Sequence, residues 1–169
     1  MEVETAIRTR RTHKAYKPEP VSRETLSELL DLARWAPNHR LTNPWRFRVV
    51  GPQALERLKL AAGPEAAVKL ARAPTLLVCS ASLCGDQLTD EEDLHATAIA
   101  AYIVLLAAHA RGLVGYWRTP DVLRRPAGRD AVGLESGERF VGLLYLGHPV
   151  QDQSPPERAP AADVITFLD

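Results

Sequence analysis

The apolar positions of residues 22–36 recur with the period of an α-helix. Its buried face is marked at i, i+3, i+4 and i+7 by Leu26, Leu29, Leu30 and Ala33. Ser22 is placed to cap the N-terminus of this helix through its hydroxyl. Because Pro37 disfavours helical geometry at the residue before it, the helix is expected to end at Ala36.

Four other segments have the length and composition of β-strands. They cover residues 46–50, 75–80, 113–117 and 140–146. The second of these is continuously apolar, which is typical of a central strand that is covered on both faces.

Helices are predicted in the intervals between these strands. Residues 52–62 begin with proline and are followed by Gly63, the usual asymmetry of helix ends. Shorter helical segments are expected at residues 65–72 and around Asp121 and Arg129.

The longest predicted helix runs from the acidic residues 90–93 to about Ala110. Acidic side chains are favourable near a helix N-terminus, and Gly112 is suited to end the helix. Alanine is frequent along it, so a second helix could approach closely, and we expect it to be central and shared between subunits. Its uncharged stretch, residues 96–108, is shorter than the roughly 20 residues that span a bilayer.

The chain changes character after Pro149. Residues 151–162 are polar and hold three prolines, so this stretch is not expected to form a packed element alone. Residues 164–168 are apolar and resemble a strand, which we expect to dock on a partner subunit. Residues 1–169 are thus predicted to form one domain, of which about 150–169 are an extended arm.

Composition narrows the function classes. The 169 residues carry no formal net charge, so no global field favours nucleic acid or an acidic membrane. The two cysteines lie in or beside an apolar run, which favours reduced thiols over a disulfide framework. No secretory signal pattern is found at the N-terminus, and a cytoplasmic protein is expected.

Positive charge is concentrated near the N-terminus. Arg10, Thr12 and Lys14 alternate along the chain, so in an extended conformation they would share one side. Two cations and a hydroxyl on one side suit a phosphate group or an electron-rich ring edge. A solvated basic arm remains the alternative interpretation. The glycine-rich cradles of common nucleotide-binding proteins are absent from the sequence.

Other chemistries have weaker support. Glu92 and His95 have the spacing of half a di-iron site, but no second copy exists, so helix capping is favoured and no metal is predicted. Ser80 and Cys79 lie within a strand that is predicted to be buried, and no nucleophile-elbow motif is present, so no hydrolytic nucleophile is predicted. A ligand role for His39, which follows a Pro–Asn loop, stays open.

Four motifs occur in order along almost the whole chain. They are Arg10-Arg11-Thr12-His13-Lys14, Ala36-Pro37-Asn38-His39 with Asn43-Pro44-Trp45, Gly115-Tyr116-Trp117-Arg118-Thr119, and Leu144-Tyr145-Leu146-Gly147-His148-Pro149. Together they resemble the FMN-dependent nitroreductase family, in particular its short single-domain bacterial members. Thr12 and Thr119 stand where serine is usual in that family, and Asn43 stands where glutamine is common. The segment 82–89 is shorter than in many relatives.

The resemblance implies an α+β sandwich with a central, mostly antiparallel sheet surrounded by helices. It also implies a homodimer that holds FMN at the subunit interface and exchanges C-terminal strands. The implied reaction passes hydride from NAD(P)H through flavin N5 to a small acceptor such as a nitroaromatic or a quinone. No catalytic side chain is implied, because the flavin carries the chemistry.

The same resemblance implies the cofactor-binding residues. Arg10 and Thr12 would bind phosphate or ribityl oxygens with Arg11 beside them, and Lys14 would approach the N1/O2 edge of the flavin. The side chains expected from the other subunit are Trp35 and His39, and those expected to close the site are Trp117, Arg118 and Thr119.

Two alternatives from other classes remain open at this point. One is a non-catalytic sensor or carrier that binds flavin or another nucleotide on the same fold. The other is a small metal protein built on the acidic helix.

Overall fold

A computed structural model of the chain describes residues 1–168, which form six α-helices and four β-strands. The helices are α1 (Val3–Thr9), α2 (Arg23–Ala33), α3 (Pro52–Ala62), α4 (Pro64–Leu70), α5 (Gln87–Ala110) and α6 (Pro126–Ala131). The strands are β1 (Trp45–Val49), β2 (Thr75–Ser82), β3 (Val114–Arg118) and β4 (Glu138–Gly147). Short 3₁₀ turns occur at His39–Leu41, Asp121–Arg124 and Ala161–Val164.

The strands form one sheet in the order β1-β2-β4-β3. Every neighbouring pair is antiparallel, which confirms the predicted mostly antiparallel sheet. The register between β2 and β4 shifts at Cys79/Ser80, so the ladder is irregular at that point.

Helices cover both faces of the sheet. Helices α2 and α5 pack on the face that includes Leu77 and Cys79 of β2, and helices α3, α4 and α6 pack on the face that includes Leu76 and Val78. Successive residues of a strand point to opposite faces, so the apolar side chains of residues 76–79 pack alternately into the two clusters. This confirms the prediction that the continuously apolar segment is a central strand covered on both faces.

The predicted helix boundaries were close to those observed. The hydroxyl of Ser22 accepts a hydrogen bond from the backbone N–H of Thr25 at 3.1 Å, the predicted cap of α2. Helix α2 ends at Ala33, three residues before the predicted end, although α3 has its predicted bounds. Helix α5 begins earlier than predicted because Asp86 caps it and accepts from the N–H of Thr89. Helix α1 was not predicted.

Helix α5 has 24 residues and is apolar enough, by length and composition, to cross a membrane. Half of its most apolar stretch is buried inside the fold. Its buried alanines, which include Ala100, Ala101 and Ala108, lie in the cluster formed with α2 and the sheet. This helix is therefore the core helix of the fold.

The C-terminal arm, residues 151–168, is exposed along its whole length. The strand predicted at residues 164–168 was expected to dock on a partner subunit, and it stays a prediction. In the single chain Val164 ends a 3₁₀ turn, Ile165 is extended, and no strand of the sheet pairs with residues 165–168. The side chains of Val164, Phe167 and Leu168 are 84%, 91% and 90% exposed. These apolar side chains are therefore not covered by other residues of the described range 1–168.

Candidate functional site

The basic segment leaves the end of α1 and runs along the free edge of β3. Thr12 forms a parallel bridge with Gly115, and the N–H of His13 donates to the carbonyl of Gly115 at 3.2 Å. The side chains of Thr12 and Lys14 are exposed, whereas His13 between them is buried. Alternation of an extended chain therefore directs Thr12 and Lys14 outward, away from His13.

Arg10 begins this segment at a cationic cleft. Its Nε is buried and has no hydrogen-bond partner among residues 1–168, and its Cζ lies 5.9 Å from the ring centroid of Tyr102. The cleft has a volume of about 560 Å³ and is lined by four arginines, Arg8, Arg10, Arg11 and Arg158. A buried N–H donor without an acceptor is costly, so this donor fits an anionic ligand oxygen. Arg158, which belongs to the C-terminal arm, was not predicted as a site residue.

The side chain of Arg11 forms hydrogen bonds with the C-terminal end of α1. Its guanidinium donates to the carbonyl oxygens of Arg8 and Arg10, where a helix leaves its last acceptors unpaired. On the inner side of the segment, Arg11 and His13 line a second cavity of about 310 Å³ together with His109. Burial lowers the pKa of both histidines, and the nearby guanidinium of Arg10 lowers them further. Both imidazoles are therefore biased towards the neutral form.

Trp35 and His39 lie beyond the end of α2. Trp35 is 72% exposed, and its ring centroid lies 5.3 Å from the guanidinium carbon of Arg34. His39 begins the first 3₁₀ turn, and its Nδ1 lies 4.0 Å from a carboxylate oxygen of Glu92 on α5. Both side chains are exposed and could contact a ligand that is held by a second chain.

The loop that carries His39 is attached to α5 by a buried carboxylate. Asp93 is 4% exposed and accepts hydrogen bonds from the hydroxyl of Thr42 at 2.5 Å and from the side-chain amide of Asn38 at 3.3 Å. None of these three residues was predicted as a site residue. A signal was present in the sequence, because Asp93 lies three and seven positions before Ala96 and Ala100 on the buried face of α5.

The predicted cofactor residues form two separate groups along α5. Arg10 lies near Tyr102, whereas His39 lies near Glu92, ten residues earlier in the helix. At a rise of 1.5 Å per residue, these two points are about 15 Å apart along the helix axis. One chain therefore does not bring Arg10 and His39 to the same place.

The third predicted group lies on β3 and is divided between the two faces of the sheet. Trp117 packs against the cluster under α2 and α5. Arg118 points to the other face, where it donates to the Tyr145 hydroxyl at 3.1 Å and lies over the ring of Tyr116. Thr119 is exposed beyond the end of the strand. Trp117 and Arg118 are thus not brought together on one surface.

A buried ion pair also escaped prediction. Arg48 of β1 donates to both carboxylate oxygens of Glu138 on β4, and the hydroxyl of Ser80 on β2 donates to the same carboxylate. Burial raises the pKa of Glu138, but the hydrogen bonds from Arg48 and Ser80 outweigh it and hold this pKa below its ordinary value. Together with Ser80, the pair links the three neighbouring strands β1, β2 and β4.

Within residues 1–168, no group of three or more His, Cys, Asp or Glu side chains is arranged to hold a metal ion. The Glu92 carboxylate instead lies near His39, and His95 is exposed.

A family model and a relative of this chain carry the same family description. A family model described as the nitroreductase family matches residues 7–81, a range that contains Arg10, His39 and the segment between them. YfhC of Bacillus subtilis (strain 168), a proposed NAD(P)H nitroreductase, is 26% identical over 178 aligned positions. The alignment covers 96% of this chain and 92% of YfhC.

Solved structures with the same fold include two that cover almost the whole chain. A nitroreductase-like family protein from Bacillus cereus superposes with a TM-score of 0.90 at 23% identity, covering 100% of this chain and 97% of that one. A proposed nitroreductase from Desulfovibrio desulfuricans, solved in complex with FMN, gives a TM-score of 0.81 at 27% identity. The second superposition covers 99% of this chain and 96% of the other.

Proposed function

Because the chain belongs to the nitroreductase family, we propose that it is an FMN-dependent oxidoreductase that passes hydride from NAD(P)H to a small acceptor. A nitroaromatic or a quinone is the acceptor class that we propose. Bound FMN supplies a ring that takes up hydride at N5 and gives it to the acceptor. The side chains of this chain bind and orient FMN and tune its charge.

The observation that carries the proposal is the buried Nε of Arg10, which has no partner in the part of the chain that the structure describes and lies in a cleft lined by four arginines. A terminal phosphate offers several anionic oxygens, which would satisfy this donor and offset the mutual repulsion of the guanidinium groups. Thr12 presents a hydroxyl, and Lys14 an ammonium group, on the outward side of the same segment. Lys14 would stabilise negative charge on the reduced ring.

We further propose a homodimer in which each FMN contacts both chains. The separation of Arg10 and His39 along α5 supports this arrangement, because a single chain leaves the two groups apart. The exposed apolar tip of the C-terminal arm, with Phe167 at 91% exposure, supports an exchange of arms between subunits. A cytoplasmic location stays a prediction.

The first experiment is a visible absorption spectrum of the purified full-length chain, followed by heat release and identification of the chromophore. One FMN per chain is expected. Anaerobic addition of NADPH or NADH should then bleach the flavin absorption, and a nitroaromatic or quinone should restore it. A yellow protein that neither reductant bleaches would instead be a sensor or carrier. A colourless protein that refuses added FMN would contradict the proposal.

A further inference from the structure

We propose that Asp93 is a positioning residue of the FMN site. Its buried carboxylate holds the loop of residues 38–43 against α5 and, through this loop, fixes the location of His39. This inference rests on the proposed function, since it concerns a residue that acts on FMN only through another one.

The carboxylate of Asp93 is almost fully buried yet makes its hydrogen bonds to the loop. One of its oxygens accepts from the Thr42 hydroxyl at 2.5 Å and from the Asn38 amide at 3.3 Å. The same Asn38 amide also donates to the Thr42 hydroxyl at 2.9 Å. The three side chains therefore form one closed hydrogen-bonded group that joins the loop to the helix.

Hydrogen bonds within the loop extend this attachment. The side-chain oxygen of Asn38 accepts from the backbone N–H of Asn43 at 2.7 Å, and the Asn43 amide donates to the carbonyl of Leu41 at 2.7 Å. Because Asn38 bonds both to Asp93 and to Asn43, both ends of the loop depend on the buried carboxylate.

The loop backbone is one that the chain would not adopt without support. Arg40, Leu41 and Asn43 have φ values of 55°, 53° and 49°. Residues other than glycine rarely occupy this left-handed region, and leucine has no side-chain polar group to favour it. Such a backbone persists where surrounding contacts determine it, and it is found most often at ligand sites.

Asp93 is not required to begin the helix in which it lies. Asp86 already caps α5 by accepting from the N–H of Thr89, and Asp93 lies two turns further along with its carboxylate directed at the loop. The carboxylate therefore serves residues 38–43 rather than the helix end. His39 lies between Asn38 and Arg40, so any relaxation of this loop displaces its imidazole.

The test compares FMN affinity in four variants of the full-length chain. Asp93→Leu removes both acceptors at similar volume, Asp93→Asn keeps one oxygen that can accept from Thr42, and Thr42→Val removes only the hydroxyl. Glu91→Gln is the matched control, because it neutralises an exposed carboxylate two residues away on α5. FMN would be removed and titrated back by fluorescence quenching, with thermal unfolding of the FMN-free protein measured in parallel.

We expect Asp93→Leu to raise the Kd for FMN by about 10-fold or more and Thr42→Val by about 3-fold. The Kd of Asp93→Asn for FMN should stay within about 2-fold of the wild-type value, and Glu91→Gln should leave the Kd unchanged. In a His39→Ala background the effect of Asp93→Leu should shrink, because the residue through which it acts is gone. Should Asp93→Leu fail to fold, Thr42→Val, at an exposed loop position, decides the question alone.

Unchanged FMN affinity in folded Asp93→Leu or Thr42→Val, whatever the loss of thermal stability, overturns the positioning role. An equal effect of Asp93→Leu with and without His39 overturns it as well. Failure of the wild-type chain to bind FMN would be a different result, since it contradicts the proposed function on which this inference rests.

Discussion

The indole of Trp117 on β3 lies directly against the backbone of Gly142 on β4. A Cβ built on residue 142 would be 2.2 Å from Nε1 of the indole and 2.7 Å from its Cε2. The glycine therefore makes room for the tryptophan on the face of the sheet below α5. Trp117 could not keep this location beside any larger residue.

Replacing Gly142 with Ala should displace Trp117 and destabilise the fold by about 1–3 kcal/mol, the usual cost of overpacking. The displaced indole should also shift the tryptophan fluorescence maximum. Gly137→Ala is the control, because a Cβ there meets nothing within 4 Å and its backbone lies outside the left-handed region. Equal unfolding midpoints for the two variants would show that the Trp117 indole accommodates a methyl group at residue 142 without loss of stability.

Replacing Arg10 with Ala should weaken FMN binding by about 10- to 100-fold, because each charge-assisted hydrogen bond contributes about 1.5–3 kcal/mol. The rate of flavin reduction in the FMN-loaded fraction should change far less. Arg23→Ala is a suitable control, since Arg23 is exposed on the first turn of α2. Near-normal FMN retention in Arg10→Ala, measured by equilibrium dialysis, would contradict the assignment of Arg10 as a ligand of the FMN phosphate.

Replacing Glu138 with Gln should destabilise the chain near neutral pH by about 3 kcal/mol, because the Arg48 charge loses its buried partner. The pKa of Glu138 is lowered in the folded state, so its contribution is present above the ordinary carboxyl pKa and is lost as pH falls through the lowered one. The difference in unfolding free energy between wild type and variant should therefore shrink in acid.

Urea unfolding at a series of pH values measures this difference. Glu135→Gln, at an exposed position three residues earlier, should leave the pH dependence unchanged. A constant difference between wild type and Glu138→Gln down to strongly acidic pH would contradict the assigned ion pair.

Replacing Phe167 with Asp should weaken subunit association, because the exposed aromatic tip would no longer find a favourable apolar partner. Analytical ultracentrifugation over a range of concentrations would detect the monomer. Val68→Asp provides the comparison, since Val68 is 67% exposed on α4, on the opposite side of the sheet from α5. Identical dissociation constants for both variants would place the interface elsewhere.

Much of the fold followed from local patterns in the sequence. Pro52 and Gly63 gave the bounds of α3, and the continuous apolar run of β2 correctly indicated a strand between two layers of helices. Helix α1 escaped notice because Ala6 is its only buried residue, so it has almost no apolar period. The apolar periods of strands and helices reveal which face of an element is buried. An element with few buried residues therefore gives no such signal.

The site was less predictable, for two physical reasons. The Arg48–Glu138 pair joins residues that are ninety positions apart, and no local pattern reports such a contact. Asp93 was obscured by its acidic neighbours, whose charges alone explain a helix start. Alternation along β3 did carry information, since adjacent residues such as Trp117 and Arg118 must face opposite sides of a sheet.

The spacing of about 15 Å between the neighbourhoods of Arg10 and His39 on α5 has a genetic consequence. If each site draws these residues from different chains, an Arg10→Ala chain paired with a His39→Ala chain forms one site with both lesions and one with neither. Two alleles that each weaken FMN binding should then, when expressed in the same cell, restore part of the FMN binding and activity to each other. Two alleles that both alter the Arg10 end of the site should not.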